Sequence, residues 1–351
     1  MEKIIYYLND NYEQCLSSGK IIENQHSVWD DLFLWCENAD VFLKTNTEYN
    51  PKFLDYIEKT KEEECPNVVK VGRAKPWWGK YDQIELAKKI NSKEFSFELS
   101  KQLGLINHDG GIFFGRDIEF KKNYICKDIY SFSGINTFIT NIPETLKFLN
   151  MDSKYLYEEN LPRIADFGTS LMPDGKIFFS ENIINKNFFY KGSFVGQLED
   201  KTHVEQSLKP VFKEIKKLGW EDVIQIDSIK YQKSTKTDYY LLMEINARKS
   251  MGLISNLMKN KINLNSPLAG WFIFNKKDLR VKTFTDCLLA IEDDLLEKND
   301  QKGVVITSSF HYKFVHFLIF DDSKKEINLR LMKLWKKVSD KRLPIEFIID
   351  F

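Results

Sequence analysis

Apolar and polar positions alternate along this chain in two periods, and the switches between them mark out its elements. In the first eighty residues, 3–8 read as a strand, 28–36 as a helix or buried segment, 41–44 as a strand and 51–62 as a helix, together a small α/β unit. The unit closes on Arg73-Ala74-Lys75-Pro76-Trp77-Trp78-Gly79-Lys80, where Pro and Gly predict a turn or linker and the paired tryptophans suit packing across a domain junction. Residues 84–103 are helical by period. Asn91 and Ser92 read as a cap inside that stretch, so a second helix should start near Lys93. Strand-like runs follow at 111–115, 123–127, 154–158, 164–171 and 176–180, the last two joined by the hairpin signal Pro173-Asp174-Gly175. Val204, Leu208, Val211, Phe212, Ile215 and Leu218 share one helix face that stops at Gly219. Two strands at 223–231 and 239–245 flank a polar tip. The tail predicts a helix at 288–296, strands at 304–307 and 314–320, and a helix near 329–338.

At 351 residues the chain is too long for a single compact core, so two or three domains are expected. Its 51 basic and 51 acidic side chains cancel, which argues against nucleic acid or an anionic membrane as a bulk partner, because those select a broad basic field. Only seven of the cations are Arg, so an Arg inside a motif carries more information than a Lys. Five cysteines without tight spacing disfavour a disulfide framework or a Cys-rich zinc site. The amino terminus reads as a first strand rather than a signal peptide, and no apolar run nears the roughly 18 residues of a membrane span. A soluble cytoplasmic protein is the expectation.

Candidate chemistry concentrates in one hairpin. Asp227 lies on its first strand, and Glu244 and Asn246 lie two apart on the second, so the latter two share a face. Two hard oxygen donors opposite a third carboxylate suit Mg²⁺ with room left for phosphates. Arg248 continues the parity and would reach an anion beside the metal. The alternative is a solvated hairpin face with incidental Glu and Asn. The five histidines (His26, His108, His203, His311, His316) have no ligand spacing, and neither a Ser-His-Asp order nor a phosphate-binding GxxxxGK[ST] loop is present.

Met243-Glu244-Ile245-Asn246-Ala247-Arg248, with Ile226-Asp227 on the partner strand, resembles the metal-binding signature of ATP-grasp ligases. Other segments agree in order. Asn91-Ser92-Lys93 opening a helix resembles the family's first nucleotide-binding lysine, and Tyr124-Ile125-Cys126-Lys127 the strand of its second. Ser131-Phe132-Ser133-Gly134 stands where the family has its small-residue phosphate loop. Tyr155-Leu156-Tyr157-Glu158-Glu159-Asn160-Leu161 resembles the hinge strand at the adenine, and Gly192-Ser193-Phe194-Val195-Gly196 a later turn. The likeness covers roughly residues 86–260.

The resemblance implies an α/β (α+β) ATP-grasp fold, with the nucleotide held between two α+β subdomains and an N-terminal α/β domain ahead of them. The corresponding boundaries are 1–85 for the N-terminal domain, 86–165 for the central lid, 166–265 for the subdomain with the metal site, and 266–351 for an extension completing the ligase domain. It further implies Lys93, Lys127, Ser133 and Gly134 at phosphates, with Glu158 accepting from the adenine amine and backbone near Glu159 and Leu161 reading the ring. Asp227, Glu244 and Asn246 would hold Mg²⁺ (or Mn²⁺ in its place), and Arg248 would be catalytic, stabilising the transferring phosphoryl group. The implied reaction is ATP-dependent joining of a small-molecule carboxylate to an amine (or thiol) through an acylphosphate, by a protein for which a homodimer is one open assembly. Two alternatives stand beside it. One is a nucleotide-binding or scaffold protein that has lost turnover, suggested by the glycine-poor phosphate loop. The other is an unrelated α/β protein.

Overall fold

The computed structural model describes residues 4–21, 27–118, 123–131, 136–141, 149–263, 265–297 and 300–348. Its first unit holds β1 (Ile4–Tyr7), α1 (Tyr12–Ser18), α2 (Asp30–Cys36), β2 (Val41–Lys44), α3 (Pro51–Lys61), β3 (Asn67–Val69) and β4 (Lys75–Pro76). The four strands form a parallel sheet in the order β3-β2-β1-β4. The segment read as a turn or linker is thus partly a strand. Lys75 and Pro76 pair with Tyr6 and Tyr7 at the sheet edge, the one place where a residue lacking an N–H does no harm to a ladder. Trp77 and Trp78 are buried directly after it.

Next come α4 (Ile84–Ile90) and α5 (Lys93–Gln102), broken where Asn91 and Ser92 predicted. The break is not a side-chain cap, since Ser92 makes no capping hydrogen bond. Asn91 instead pins the joint: its Nδ2 donates to Ala87 O at 2.7 Å and its Oδ1 accepts from Ala247 N at 3.1 Å. A second, antiparallel sheet follows, of β5 (Gly110–Phe114), β6 (Tyr124–Asp128), β7 (Thr137–Ile139) and β8 (Lys154–Glu159), in the order β5-β8-β6-β7. It has its own small core of Tyr124, Cys126, Phe138, Tyr155 and Tyr157 on one face. Strand alternation sends Ile125 and Lys127 to the other face.

The third sheet is the largest. It is antiparallel, with strands β9 (Arg163–Leu171), β10 (Ile177–Ile184), β11 (Tyr190–Gly196), β12 (Ile224–Lys233), β13 (Lys236–Asn246), β14 (Leu268–Asn275), β15 (Gly303–Ile306) and β16 (Phe314–Asp321), in the order β13-β12-β9-β10-β11-β14-β16-β15. Helices α6 (Lys201–Lys217), α7 (Met251–Ile262), α8 (Phe284–Ala290) and α9 (Lys324–Val338) accompany it. The Gly192–Gly196 segment, expected to be a turn, is strand β11. Its terminal glycines answer to packing: a Cβ on Gly192 would sit 2.0 Å from Trp271 O, and one on Gly196 2.2 Å from Pro267 O, so only glycine lets β11 lie against β14 there. Helix α8 starts ahead of the 288–296 stretch that periodicity indicated and overlaps it only at its last residues, ending at Ala290.

Helix α7 and strand β14 have no clear periodic signature, because both are buried nearly all round. Ser250 caps α7 by accepting from Leu253 N, and Ile254 and Met258 join one continuous core with α2, β10 and β11. That core ties the N-terminal unit to the large sheet. All five cysteines are buried and free, and among the described residues no helix is long and apolar enough to cross a membrane.

Candidate active site

The site grows from the β12–β13 ladder. Asp227 and Glu244 are direct cross-strand partners, as are Gln225 and Asn246, and a register irregularity sits immediately beyond Asp227. Such a bulge re-aims side chains at the point where the ladder is interrupted. Asn246 Nδ2 donates to Asp227 Oδ2 at 2.9 Å, and Gln225 Nε2 donates to the other oxygen. Burial and then the charge of Glu244 push the Asp227 carboxyl well above the usual range, against the opposing pull of Arg248. Two facing carboxylates with an amide oxygen nearby are short of positive charge, and that donor set fits a hard divalent cation. Among the described residues no group of three or more His, Cys, Asp and Glu is gathered for a metal, so the remaining oxygens would come from phosphate and water.

Lys93 reaches this pair from the start of α5. It is buried, and its Nζ lies 3.1 Å from Glu244 Oε1 while also donating to Ser131 O. Helix α5 is fixed against β13 by Ser96 Oγ, which accepts from Ile245 N at 3.2 Å. Ser133 and Gly134 lie outside the described residues.

Lys127, from β6 of the second sheet, enters the same cavity with Nζ 3.0 Å from Glu158 Oε2. The other Glu158 oxygen accepts from Tyr240 OH at 2.7 Å and lies 3.3 Å from His108 Nε2. Burial alone would raise the Glu158 carboxyl, but Lys127, His108 and Tyr240 outweigh it and hold it at about 2. Its oxygens are therefore taken in this arrangement, and the adenine amine expected there would compete with three donors. Glu159 N donates to Asp109 O at 3.0 Å, and Leu161 packs with Ile229, Tyr231 and Tyr240. None of Glu158, Glu159 and Leu161 lines the cavity.

Arg248 follows the strand that carries Glu244 and Asn246. It donates to Asn246 Oδ1 at 3.3 Å and to Lys249 O at 2.8 Å, lies 5.9 Å over the Trp78 ring, and forms an ion pair with Glu13 of α1. Its buried Nε has no hydrogen-bond partner among the described residues. Arg163, whose sequence context left ribose, phosphate or Asp166 open, is paired with Asp166 at 2.6 Å and stacks 5.1 Å from the Phe188 ring.

Lys93, Lys127, Asp227, Glu244, Asn246 and Arg248 thus share one cavity of about 470 Å³ between the second sheet, the large sheet and the N-terminal unit. Asp10, Glu13, Trp29, Phe188 and Phe314 also line it and were missed in the sequence. One signal for Asp10 was available: it follows the carboxyl end of the first strand of a parallel sheet, where α/β proteins place ligands. His108 and Tyr240 had none.

No family model matches the chain, and no curated protein matches it in sequence. Solved structures do match in shape. N5-carboxyaminoimidazole synthase from Aspergillus clavatus, in complex with ADP and 5-aminoimidazole ribonucleotide, has a TM-score of 0.53 at 9% identity, over 95% of this chain and 98% of that one. The chain has the ATP-grasp fold. N5-carboxyaminoimidazole ribonucleotide synthetase from Thermus thermophilus gives 0.52 at 10% identity, over 98% and 94%. Biotin carboxylase from Campylobacter jejuni gives 0.50 at 11%, over 85% and 74%. On this ATP-grasp frame the cavity lies between the second sheet and the β12–β13 hairpin.

Proposed function

We propose that this protein is an ATP-dependent ligase that activates a small-molecule carboxylate as an acylphosphate and transfers the acyl group to an amine. The observation that carries the reading is Asp227 facing Glu244 in the cavity that also collects Lys93, Lys127 and Arg248. Likeness to ligases of the same fold supports it.

Phosphoryl transfer needs positioning and charge neutralisation more than covalent help from the protein. A substrate carboxylate oxygen attacks the γ-phosphorus, the bond from that phosphorus to the β,γ-bridging oxygen breaks, and ADP leaves with the electron pair. Lys93 and Lys127 bind phosphate oxygens from two sides, and Glu158 acts as a positioning residue that fixes the Lys127 ammonium at the wall. Arg248 orients and stabilises the carboxylate and then the acylphosphate. Mg²⁺, or Mn²⁺ in its place, would be held by Asp227, Glu244 and Asn246 and would supply neutralisation of the phosphate charge. An amine then attacks the acyl carbon and phosphate departs.

ADP release from ATP and Mg²⁺ that depends on an added acid–amine pair tests the reading. Unchanged turnover in both Glu244→Ala and Lys127→Ala would remove it. One observation favours a second reading, nucleotide binding without turnover: both phosphate-side lysines are already ion-paired, Lys93 with Glu244 and Lys127 with Glu158. Stabilisation by ATP that ignores Mg²⁺, with no ADP formed across a broad acid and amine panel, would select it.

A further inference from the structure

Resting on the ligase reading, we propose that the acceptor is a cationic amine carried on a flat apolar body, and that it docks on the wall the N-terminal unit gives the cavity. That wall carries two carboxylates and two indoles: Asp10 and Glu13, Trp29 and Trp78. Phe274 and Phe314 also line the cavity, from β14 and β16. Trp29 stacks on Phe314 with centroids 5.1 Å apart and planes at 10°, so the two halves of this aromatic lining are braced against each other. Asp10 is held in orientation by the Ser27 hydroxyl, which donates to its Oδ2 at 2.8 Å.

Charge decides which acceptor fits. Among the described residues five cations line the cavity, and four of them already face carboxylates: Lys93 with Glu244, Lys127 with Glu158, Arg163 with Asp166 and Arg248 with Glu13. The fifth, Lys191, is a single ammonium, whereas a phosphate dianion is gripped by convergent, often bidentate donors. A phosphate-bearing acceptor would moreover bring its charge against Asp10, with Glu13 beside it already paired to Arg248. An alkylammonium meets the reverse situation, with a carboxylate to accept its hydrogen bonds and aromatic faces to attract it.

The subsite also fits the second half-reaction. The ammonium gives one proton to the Asp10 carboxylate and from there to solvent. The freed nitrogen lone pair attacks the acyl carbon, the carbon–oxygen bond to phosphate breaks, and phosphate leaves with the electron pair and the second nitrogen proton. No oxidant or further reactant is needed.

Calorimetric titration of the full-length protein with tryptamine and with O-phosphoethanolamine, each in the presence of ADP and Mg²⁺, tests the proposal. Tryptamine should bind at least tenfold more tightly than O-phosphoethanolamine, and Asp10→Asn should weaken tryptamine at least tenfold. Trp29→Leu should weaken it too, with its ADP titration reporting whether the fold is kept. O-phosphoethanolamine binding as tightly as tryptamine, or an Asp10→Asn affinity equal to wild type, overturns the proposal. Tryptamine binding that depends on Asp10, in a protein that releases no ADP with any acid–amine pair, upholds the subsite and removes the ligase reading instead.

Discussion

Lys127 Nζ and Glu158 Oε2 lie 3.0 Å apart, on the neighbouring strands β6 and β8, with both side chains almost wholly out of solvent. A buried pair of this kind has its desolvation repaid only while both partners are present. Glu158→Gln should therefore destabilise the protein by about 3–5 kcal/mol in urea unfolding, beyond any effect on ATP. The Glu158 carboxyl sits at about 2 in the folded protein, below its unfolded value. Its stabilisation is present above the unfolded value and is lost as pH falls through about 2. The variant should accordingly show a flatter acid limb. An unchanged urea midpoint would leave Glu158 as a ligand contact only.

Asp227 behaves in the opposite sense. Its carboxyl is raised above the unfolded value by burial and Glu244, so its contribution is full at low pH and is lost as pH rises through the raised value. Asp227→Asn should raise the metal-free melting temperature at pH 8 while lowering kcat at least 100-fold. Mg²⁺ with ATP should stabilise the wild type and not the variant. A variant that melts lower and still turns over would contradict both the electrostatics and the metal assignment.

Arg248, just past the end of β13, is anchored from α1 by Glu13. Arg248→Ala should cost about 10²–10³ in kcat, the scale of losing one preorganised group at developing charge. Glu13→Gln should cost less, because Arg248 keeps its bonds to Asn246 and Lys249. Steady-state ADP release on the two variants orders them. Equal losses would mean that Glu13 itself touches substrate.

A pH effect on folding should come from the joint between α2 and the residues around β15 and β16. Burial raises Asp31 to about 7 although Ser309 donates to it through N and Oγ. Burial also lowers His316 to about 3, with Thr307 Oγ1 2.8 Å from its Nδ1. Stability tied to Asp31 is lost as pH rises from the ordinary carboxyl range through about 7. Stability tied to His316 is lost as pH falls from the ordinary imidazole range towards about 3. Asp31→Asn should gain on the order of 2–4 kcal/mol at pH 8 and clearly less at pH 5, read from urea midpoints. A gain independent of pH would place the effect in packing.

Much of the site was legible because it is local. Asp227, Glu244 and Asn246 belong to one hairpin, and spacing alone puts Glu244 and Asn246 on one face. The register set at the turn would oppose Asp227 to Leu242, and only the irregularity beyond Asp227 shifts the ladder so that Glu244 faces it. Lys127 was legible for a related reason: it follows Cys126 on a strand whose other face is apolar. The helix break before Lys93 was read correctly for a reason only partly right, since Asn91 acts across to Ala247 rather than Ser92 capping α5. Strand β11 was misread because its glycines look like turn punctuation, and their need comes from a neighbour, β14, distant in sequence.

By itself, then, the chain determined the elements with clear periods, the oxygen donors of the β12–β13 hairpin and the order of segments that resembles ATP-grasp ligases. Only the tertiary structure decided that Glu158 is shared by Lys127, His108 and Tyr240, which lie 31, 50 and 82 positions away. It also decided that Arg248 answers to Glu13 and that Asp10 and Trp29 help to wall the cavity. Those relations depend on how one sheet is laid against another and on what burial does to each charge. Neither quantity has a period along the chain.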